Sequence, residues 1–323
     1  MIPIGDRLSE AAMTKPRKRL LLTGPSGLLG AAIVDHWAQR WDITALVGRH
    51  RMARGVVDNV PADLRLPDGL AALVERHRPD VVVHCAAWTD LDACEANPEL
   101  ARTLHRDASA ALAEGAARAG ARFVYISTDS LFSAVPGPHR EEDPIDPRSV
   151  YARTKWEGEQ AALSACPSSL ILRTCIVGWN AQPKVSLAEW MLRELRAERP
   201  VKAFVDVWFT PILTTTLAAA IEKLLTVGAA GVLHVGGGEC VTKHAFAEQV
   251  AAAFELPASL IIPTSIAGVP LRAPRPASPC LDSSRYAALT GEPLQRVGDL
   301  LREMRLQESS GWVTSLRSSI AAD

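Results

Sequence analysis

The 323-residue sequence lacks an excess of charge of either sign: 35 Lys and Arg face 36 Asp and Glu, a formal net charge of −1. No charge field therefore argues for nucleic acid or an anionic membrane as a partner. Long hydrophobic runs are missing too, and none reaches the ~18–20 residues that cross a bilayer. Residues 1–18 are polar and end Lys15-Pro16-Arg17-Lys18. With no apolar stretch between a basic start and a small-residue cleavage site, they argue against a signal peptide and read as a disordered lead-in. The six cysteines, at 85, 94, 166, 175, 240 and 280, contain no C-x-x-C pair. That scatter predicts free thiols in a reducing cytoplasm rather than disulfides or zinc. Repeats and low-complexity tracts are absent, and no G-x-S-x-G elbow supports Ser-His-Asp catalysis. A chain that is 48% apolar can still build a sizeable core, as one large domain or two modest ones.

The apolar pattern alternates between two kinds of segment. Short runs at Arg19–Thr23, Ile43–Val47, Gly55–Asp58, Asp80–His84, Arg122–Ser127 and Leu170–Thr174 read as strands. Between them the segments running to Gln39, then Leu70–Arg78, Pro98–Gly120 and Tyr151–Ser164 read as helices. Strand and helix in alternation imply an α/β fold, a doubly wound parallel sheet with helices on both faces. Past Thr174 the rhythm loosens. Helices are expected at Val185–Ala197, Thr214–Leu225, Thr242–Phe254, Ser283–Leu289 and Val297–Met304, with a strand at Gly231–Val235 and little pattern in Gln307–Asp323. The division that follows is a lead-in (1–18) and a dinucleotide-binding domain (19–174), with later strands from about 201–238 returning to it. A smaller substrate lobe (175–200 and 239–306) and a tail (307–323) complete it.

Gly24-x-x-Gly27-x-x-Gly30 lies between the first strand and the first helix, where glycines let backbone approach a pyrophosphate and a helix N-terminus offers it free N–H groups. Ser26, Leu28 and Leu29 belong to the same turn. The second strand runs into Gly48-Arg49-His50-Arg51 with no acid. A carboxylate there would hold a ribose 2′-hydroxyl, whereas basic groups accommodate a 2′-phosphate, so NADP is favoured and NAD stays open. Asp63 and Leu64 are placed to meet an adenine ring. Tyr151 and Lys155 share one helix face. An ammonium beside a phenol stabilises the phenolate and lowers its pKa, which suits a proton donor to a carbonyl oxygen. Thr128, ending a strand, can hydrogen-bond that oxygen. The acids and thiols around His84 lack a recurring ligand spacing, so no metal site is predicted.

These features together resemble the extended short-chain dehydrogenase/reductase superfamily, with a Rossmann-like domain and a small C-terminal lobe. Within it the chain is most similar to the dTDP-4-dehydrorhamnose reductase family. The matching stretches are the fourth-strand segment Pro79–Glu95, Ser127–Phe132, Tyr151–Glu159, Leu172–Thr174, Asp206–Pro211, His234, Arg275-Pro276 and Leu281-Asp282. The resemblance implies Tyr151 as proton donor, Lys155 as its pKa partner and ribose ligand, and Thr128 as substrate-oxygen ligand. It implies Cys85, Ala86, Ala87 and Cys175 along the cofactor, and Asp129, Ser130, Ile176, Trp179 and Arg275 around the substrate. Trp179 would stand in for a sugar-stacking tryptophan whose aligned position is Ile176. Tryptophans 37, 41, 190 and 208 read as packing residues.

The sequence also departs from the family. His105 aligns with its usual asparagine, Ser130 with a tyrosine, Ser133-Ala134 with Asp-Gly, and Asp206-Val207 with Asp-Gln. The implied activity is reduction of a keto group, at C4 of a nucleotide-linked 6-deoxysugar, by a cytoplasmic enzyme. Its partner is a small molecule, with a homodimer left open. A sugar-nucleotide epimerase or dehydratase is the enzymatic alternative, although Ser130 occupies the place of a dehydratase's glutamate base. A non-catalytic nucleotide-binding subunit, like the regulatory subunit of methionine adenosyltransferase in this family, is the third reading.

Overall fold

The computed structural model describes residues 17–53, 55, 57–133 and 137–321. In chain order its strands are β1 (Lys18–Thr23), β2 (Trp41–Val47), β3 (Asp58–Pro61), β4 (Val81–His84), β5 (Arg122–Ile126) and β6 (Leu170–Arg173), then β7 (Ile176–Val177), β8 (Val201–Phe204), β9 (Trp208–Phe209), β10 (Ile212–Leu213), β11 (Gly231–His234), β12 (Val241–Thr242) and β13 (Ile261–Thr264). Seven form one parallel sheet in the order β11-β6-β5-β4-β1-β2-β3.

Leucine and valine runs make the inner strands because both faces of the sheet are covered. Leu20 and Leu22 of β1 and Val81 and Val83 of β4 enter one core with Ile33, Trp37, Leu217 and Ile221. Leu21 and Val82, pointing the other way, enter a second core with Val74, Leu112, Ala116 and Ala162. The strand order reverses between β4 and β2 on either side of β1, and the crevice at that point is where such sheets bind ligands.

A third core lies in the lobe built from the Leu187–Arg196, Lys243–Ala253 and Val297–Ser309 helices and the β8–β13 ladder. The expectation that strands from 201 onward return to the main sheet holds only for β11, because β8 pairs with β13 instead. The expected third strand at Gly55–Asp58 begins at Asp58 and ends at Pro61, and Arg54 and Val56 lie outside the described residues. Gln307–Asp323 is not patternless tail up to its last described residue. Trp312–Ser318 is a helix whose Val313 and Leu316 enter the lobe core, and Ile320 bridges Met52.

The Pro98–Gly120 segment is helical but not uniform. A π-turn at Thr103–Asp107 separates Pro98–Arg102 from Ala108–Ala119. Such bulges reset which side chains face a site. Here the bulge carries His105, and a Cβ at Gly158 would stand 2.3 Å from the His105 carbonyl, so glycine allows the Val150–Ala165 helix to lie against it.

Cys240 and Cys280 are joined in a disulfide, with Cα atoms 5.7 Å apart. This corrects the expectation of six free thiols. The absence of C-x-x-C excludes close pairs only, and these two are separated by 40 positions. Cys85, Cys94, Cys166 and Cys175 are free. Among the described residues no helix is long and apolar enough to cross a membrane.

Candidate active site

Two cavities meet the carboxyl end of the sheet. The larger, about 930 Å³, is walled by Gly24, Pro25 and Ser26 of the glycine turn, by Gly48, Arg49 and His50 after β2, by Asp63, Leu64 and Arg65 after β3, and by Ala86 and Ala87 after β4. Gly24 has φ +64, and a Cβ there would lie 2.9 Å from the Ala86 nitrogen. A residue other than glycine would be strained and would also fill the floor of the cleft. Gly27 caps the Leu28–Trp37 helix without a side-chain acceptor, so the helix's first N–H groups stay available to an anion. A Cβ at Gly30 would fall 2.0 Å from the Gly24 oxygen, so Gly30 serves the packing of helix on turn. Leu29 is buried in the core, while Leu28 is half-buried in the helix's first turn. These residues fit a dinucleotide: backbone for the pyrophosphate, basic side chains with no acid after β2, and apolar walls.

Two polar residues of this cleft, Arg65 and Gln182, are not recognisable as site residues from the sequence. Arg65 clasps Asp63, with Nη2 donating to Oδ2 at 2.6 Å, and its guanidinium holds the Asp63 carboxyl down at about 2. Gln182 reaches from the loop after β7 and donates from Nε2 to the Ser26 hydroxyl at 2.8 Å, while Lys184 donates to Thr89 at 2.7 Å. That loop straps the cleft. The D-x-R spacing signals the first; nothing local signals the second.

Tyr151 lies 9% exposed at the start of the Val150–Ala165 helix, walling neither cavity, in a cluster with Cys94, Ala101 and Val150 against which Trp88, the residue following Ala86 and Ala87, packs. Burial pushes its phenol pKa up, the nearby Thr128 hydroxyl works against that rise, and the Asp129 carboxylate adds to it; the Thr128 hydroxyl itself donates to Asp129 at 3.3 Å. Thr128 and Tyr151 are thus side by side. Lys155 is one turn on and buried, but its Nζ donates to the Ile126 carbonyl at 2.6 Å and lies 3.9 Å above the Tyr125 ring. The expectation that this ammonium depresses the phenol pKa is not met in this arrangement, because the charge is turned toward Ile126 and Tyr125 and burial dominates at Tyr151. Burial also brings Lys155 itself down to about 7.

His105 has both ring nitrogens engaged. Nε2 accepts from the Trp88 N–H at 3.0 Å, and Nδ1 meets the Thr154 hydroxyl at 2.8 Å, which itself donates to the Val150 carbonyl at 2.9 Å. The partners define the neutral Nδ1–H tautomer. Burial holds its pKa down at about 2, and its ring meets Tyr151 edge-on at 5.6 Å. It braces the phenol and the Trp88 loop and keeps no free nitrogen for a relay.

The scaffold behind these groups is a buried ion pair. Arg173 at the end of β6 donates from Nη2 to Glu159 at 2.8 Å, with side chains 6% and 0% exposed, and the Ser127 hydroxyl donates to the same carboxylate at 2.5 Å. It ties β6, the end of β5 and the Tyr151 helix together.

The second cavity, about 470 Å³, is walled by Asp129, Ser130 and Cys175 from the sheet's end, Trp190 and Met191 from the lobe helix, Phe204, Trp208 and Phe209, Lys202 and Lys243, and Arg275. Three expectations change here. Trp179 does not face this cavity: it is 4% exposed in the lobe core and donates from Nε1 to the Met304 carbonyl at 3.1 Å. Ile176 packs against the sheet core instead. Trp190 and Trp208, expected as packing, line the cavity, and Trp208 is 41% exposed. Trp37 and Trp41 do pack, stacked at 5.0 Å. Asp129, Ser130 and Arg275 are brought together; Cys175, expected along the cofactor, walls this second cavity instead, Cys85 packs against the sheet core, and burial pushes both thiols up, Cys85 to about 12. Asp206 instead anchors Ser265 and Ile266.

Comparison with known proteins agrees with this geometry. The family model described as "RmlD substrate binding domain" matches residues 18–308. The chain is 32% identical over 296 residues to methionine adenosyltransferase 2 subunit beta of Bos taurus, covering 89% of this chain and 87% of that one. It is 31% identical over 290 residues to the dTDP-4-dehydrorhamnose reductase of Streptomyces griseus, covering 87% and 90%. A crystal structure titled hypothetical dTDP-4-dehydrorhamnose reductase, from Sulfolobus tokodaii, superimposes with a TM-score of 0.77 at 28% identity, covering 86% of this chain and 97% of that one.

Proposed function

This chain belongs to the RmlD substrate binding domain family, and we propose that it reduces the C4 keto group of a nucleotide-linked 6-deoxysugar with NADPH. It is an NAD(P)-dependent oxidoreductase acting on a keto group. The observation that supports the finer reading is the nearness of Tyr151 to Thr128 between the two cavities. Tyr151 shares a cluster with Trp88, which follows the Ala86 and Ala87 that wall the glycine-lined cleft, and Thr128 precedes Asp129, which walls the aromatic cavity.

A reduced nicotinamide held in the glycine-lined cleft would supply a hydride for the carbonyl carbon. Tyr151, kept protonated by burial, gives its proton to the carbonyl oxygen, and Thr128 holds that oxygen by a hydrogen bond. Lys155 acts as the ribose ligand and the pKa partner of the phenol once its ammonium turns from the Ile126 carbonyl toward Tyr151. Gly24, Ser26, Gly27 and Gly30 hold the pyrophosphate, with Leu28 and Leu29 offering backbone. Arg49 and His50 would receive the 2′-phosphate, Asp63 and Leu64 would meet the adenine, and Cys85, Ala86, Ala87 and Cys175 would lie along the nicotinamide end. Asp129, Ser130 and Arg275 contact the substrate. The test is NADPH consumption across a panel of nucleoside-diphosphate 4-keto-6-deoxysugars, with product configuration read by NMR. Turnover of at least one supports the reading, and no turnover of any at millimolar concentration sinks it.

A second reading follows from the Bos taurus relative: a subunit that binds a nucleotide and joins a methionine adenosyltransferase. Stoichiometric co-purification of such an enzyme, with no ketone reduction, would favour it. A cytoplasmic homodimer belongs to the first proposal; sedimentation of the pure chain as a monomer counts against the dimer.

A further inference from the structure

We propose that Lys243 and Arg275 form a diphosphate clamp in the second cavity, with Lys243 as the residue that fixes the phosphate nearer the sugar; this rests on the reading that the substrate is nucleotide-linked. Lys243 opens the Lys243–Ala253 helix, capped by the Thr242 hydroxyl, which accepts from the Ala245 N–H at 3.0 Å. A cation at this end of a helix faces the positive pole of the backbone dipoles. Its Nζ lies 3.1 Å from the centre of the Phe209 ring, which Phe246 holds edge-on at 5.2 Å. Burial pulls the Lys243 pKa down, with Asp129 and Cys175 as the acidic groups facing it. Among the described residues no hydrogen bond or ion pair engages that nitrogen, so the fold has set a cation where dipole and desolvation both oppose it.

Arg275 shows the same shortage from the other side. Its Nη2 donates to Asp92 at 3.3 Å, but Nη1 is buried with no partner among the described residues. Both residues line the cavity that Trp190 and Trp208 also line. Two underused cationic donors beside the exposed Trp208 and the half-buried Trp190 match a diphosphate joined to a stackable base, since charge-assisted N–H···O⁻ bonds would satisfy both. Asp129 directly follows Thr128, so the cation facing Asp129 is the one nearer the reacting sugar.

The test is calorimetric titration of thymidine diphosphate into the full chain, with NADPH titration and thermal melting in parallel. Lys243→Met keeps the stem on Phe209 and removes the charge. It is expected to weaken thymidine diphosphate ~10–100-fold and to flatten the salt dependence of binding, with NADPH affinity and melting temperature unchanged. With substrate, KM rises and kcat changes less than ~3-fold, as for lost uniform binding. Wild-type affinity and salt dependence in Lys243→Met would overturn the clamp. If that variant also loses NADPH binding or melts early, Lys243→Arg decides: recovered thymidine diphosphate binding supports the clamp, and a recovered fold without it overturns it. Failure of the unaltered chain to bind thymidine or uridine diphosphate would instead overturn the nucleotide-linked reading, and the clamp with it.

Discussion

The two cavities are built in opposite ways. The cofactor cleft is made by consecutive loops at the ends of β1 to β4, mostly from backbone and small residues, each a few positions past its strand. The second cavity, where we place the substrate, draws on side chains from Asp129 to Pro279, carried by the sheet, two lobe helices and short ladders. The first is fixed by topology and the second by side-chain identity. A chain can therefore keep its cofactor site while its substrate changes. The same contrast fits Ser130, which walls the second cavity and departs from the resembled family, against Gly24, Ala86 and Ala87, which wall the cofactor cleft and match it.

The largest expected effect falls on the scaffold that both cavities share. Arg173→Met leaves Glu159 charged and unpaired in a site where it is 0% exposed. Loss of one partner of a buried pair costs about 3–5 kcal/mol, so urea unfolding should shift by that much and ligand binding at both sites should weaken. A shift under about 1 kcal/mol would break the idea that this pair anchors them.

Acid should come next. Burial pushes His84, His105 and His234 down to about 3, about 2 and about 4. Their unfolded values lie near ~6.5, so the unfolded chain takes up protons first. Stability is then complete above that pH and is lost as pH falls toward the folded values, on the order of 1 kcal/mol per pH unit for each. Chemical unfolding at pH 7.5 and 5.5 measures it, and equal midpoints would show that these rings are not buried neutral.

The remaining two predictions separate the cavities. Arg49→Ala should cut the preference for NADPH over NADH by ~10–100-fold, the loss of a charge-assisted contact, and leave thymidine diphosphate binding alone. Trp208→Ala should do the reverse, weakening nucleotide binding ~5–10-fold through lost stacking with NADPH affinity intact. Any effect of either variant that crosses to the other cavity would blur the distinction.

The sequence was legible where chemistry is local. Strand, glycine turn and helix follow one another along the chain, so the sheet, Gly24 to Gly30, Arg49 and Tyr151 could be found from spacing. Trp179 misled because nearness in sequence to Ile176 does not specify on which side of the lobe a ring points. Lys243 and Trp208 were invisible as site residues because only the β9–β12 pairing and the packing of Phe209 on Phe246 bring them to the cavity. The Cys240–Cys280 link and the Gln182–Ser26 strap are likewise long-range contacts without a local pattern. Lys155 shows a further limit: the helical spacing was right, but the direction of its ammonium depends on the Ile126 carbonyl and the Tyr125 face.

The most direct measurement of the central claim is isotope transfer from NADPH deuterated at C4 of the nicotinamide to a nucleoside-diphosphate 4-keto-6-deoxysugar, comparing the unaltered chain with Tyr151→Phe. The account predicts one deuterium on the former carbonyl carbon of the product, and a rate lowered ~10²–10⁴-fold in the variant with NADPH binding retained. Product without deuterium, or Tyr151→Phe turning over at the unaltered rate, would contradict it.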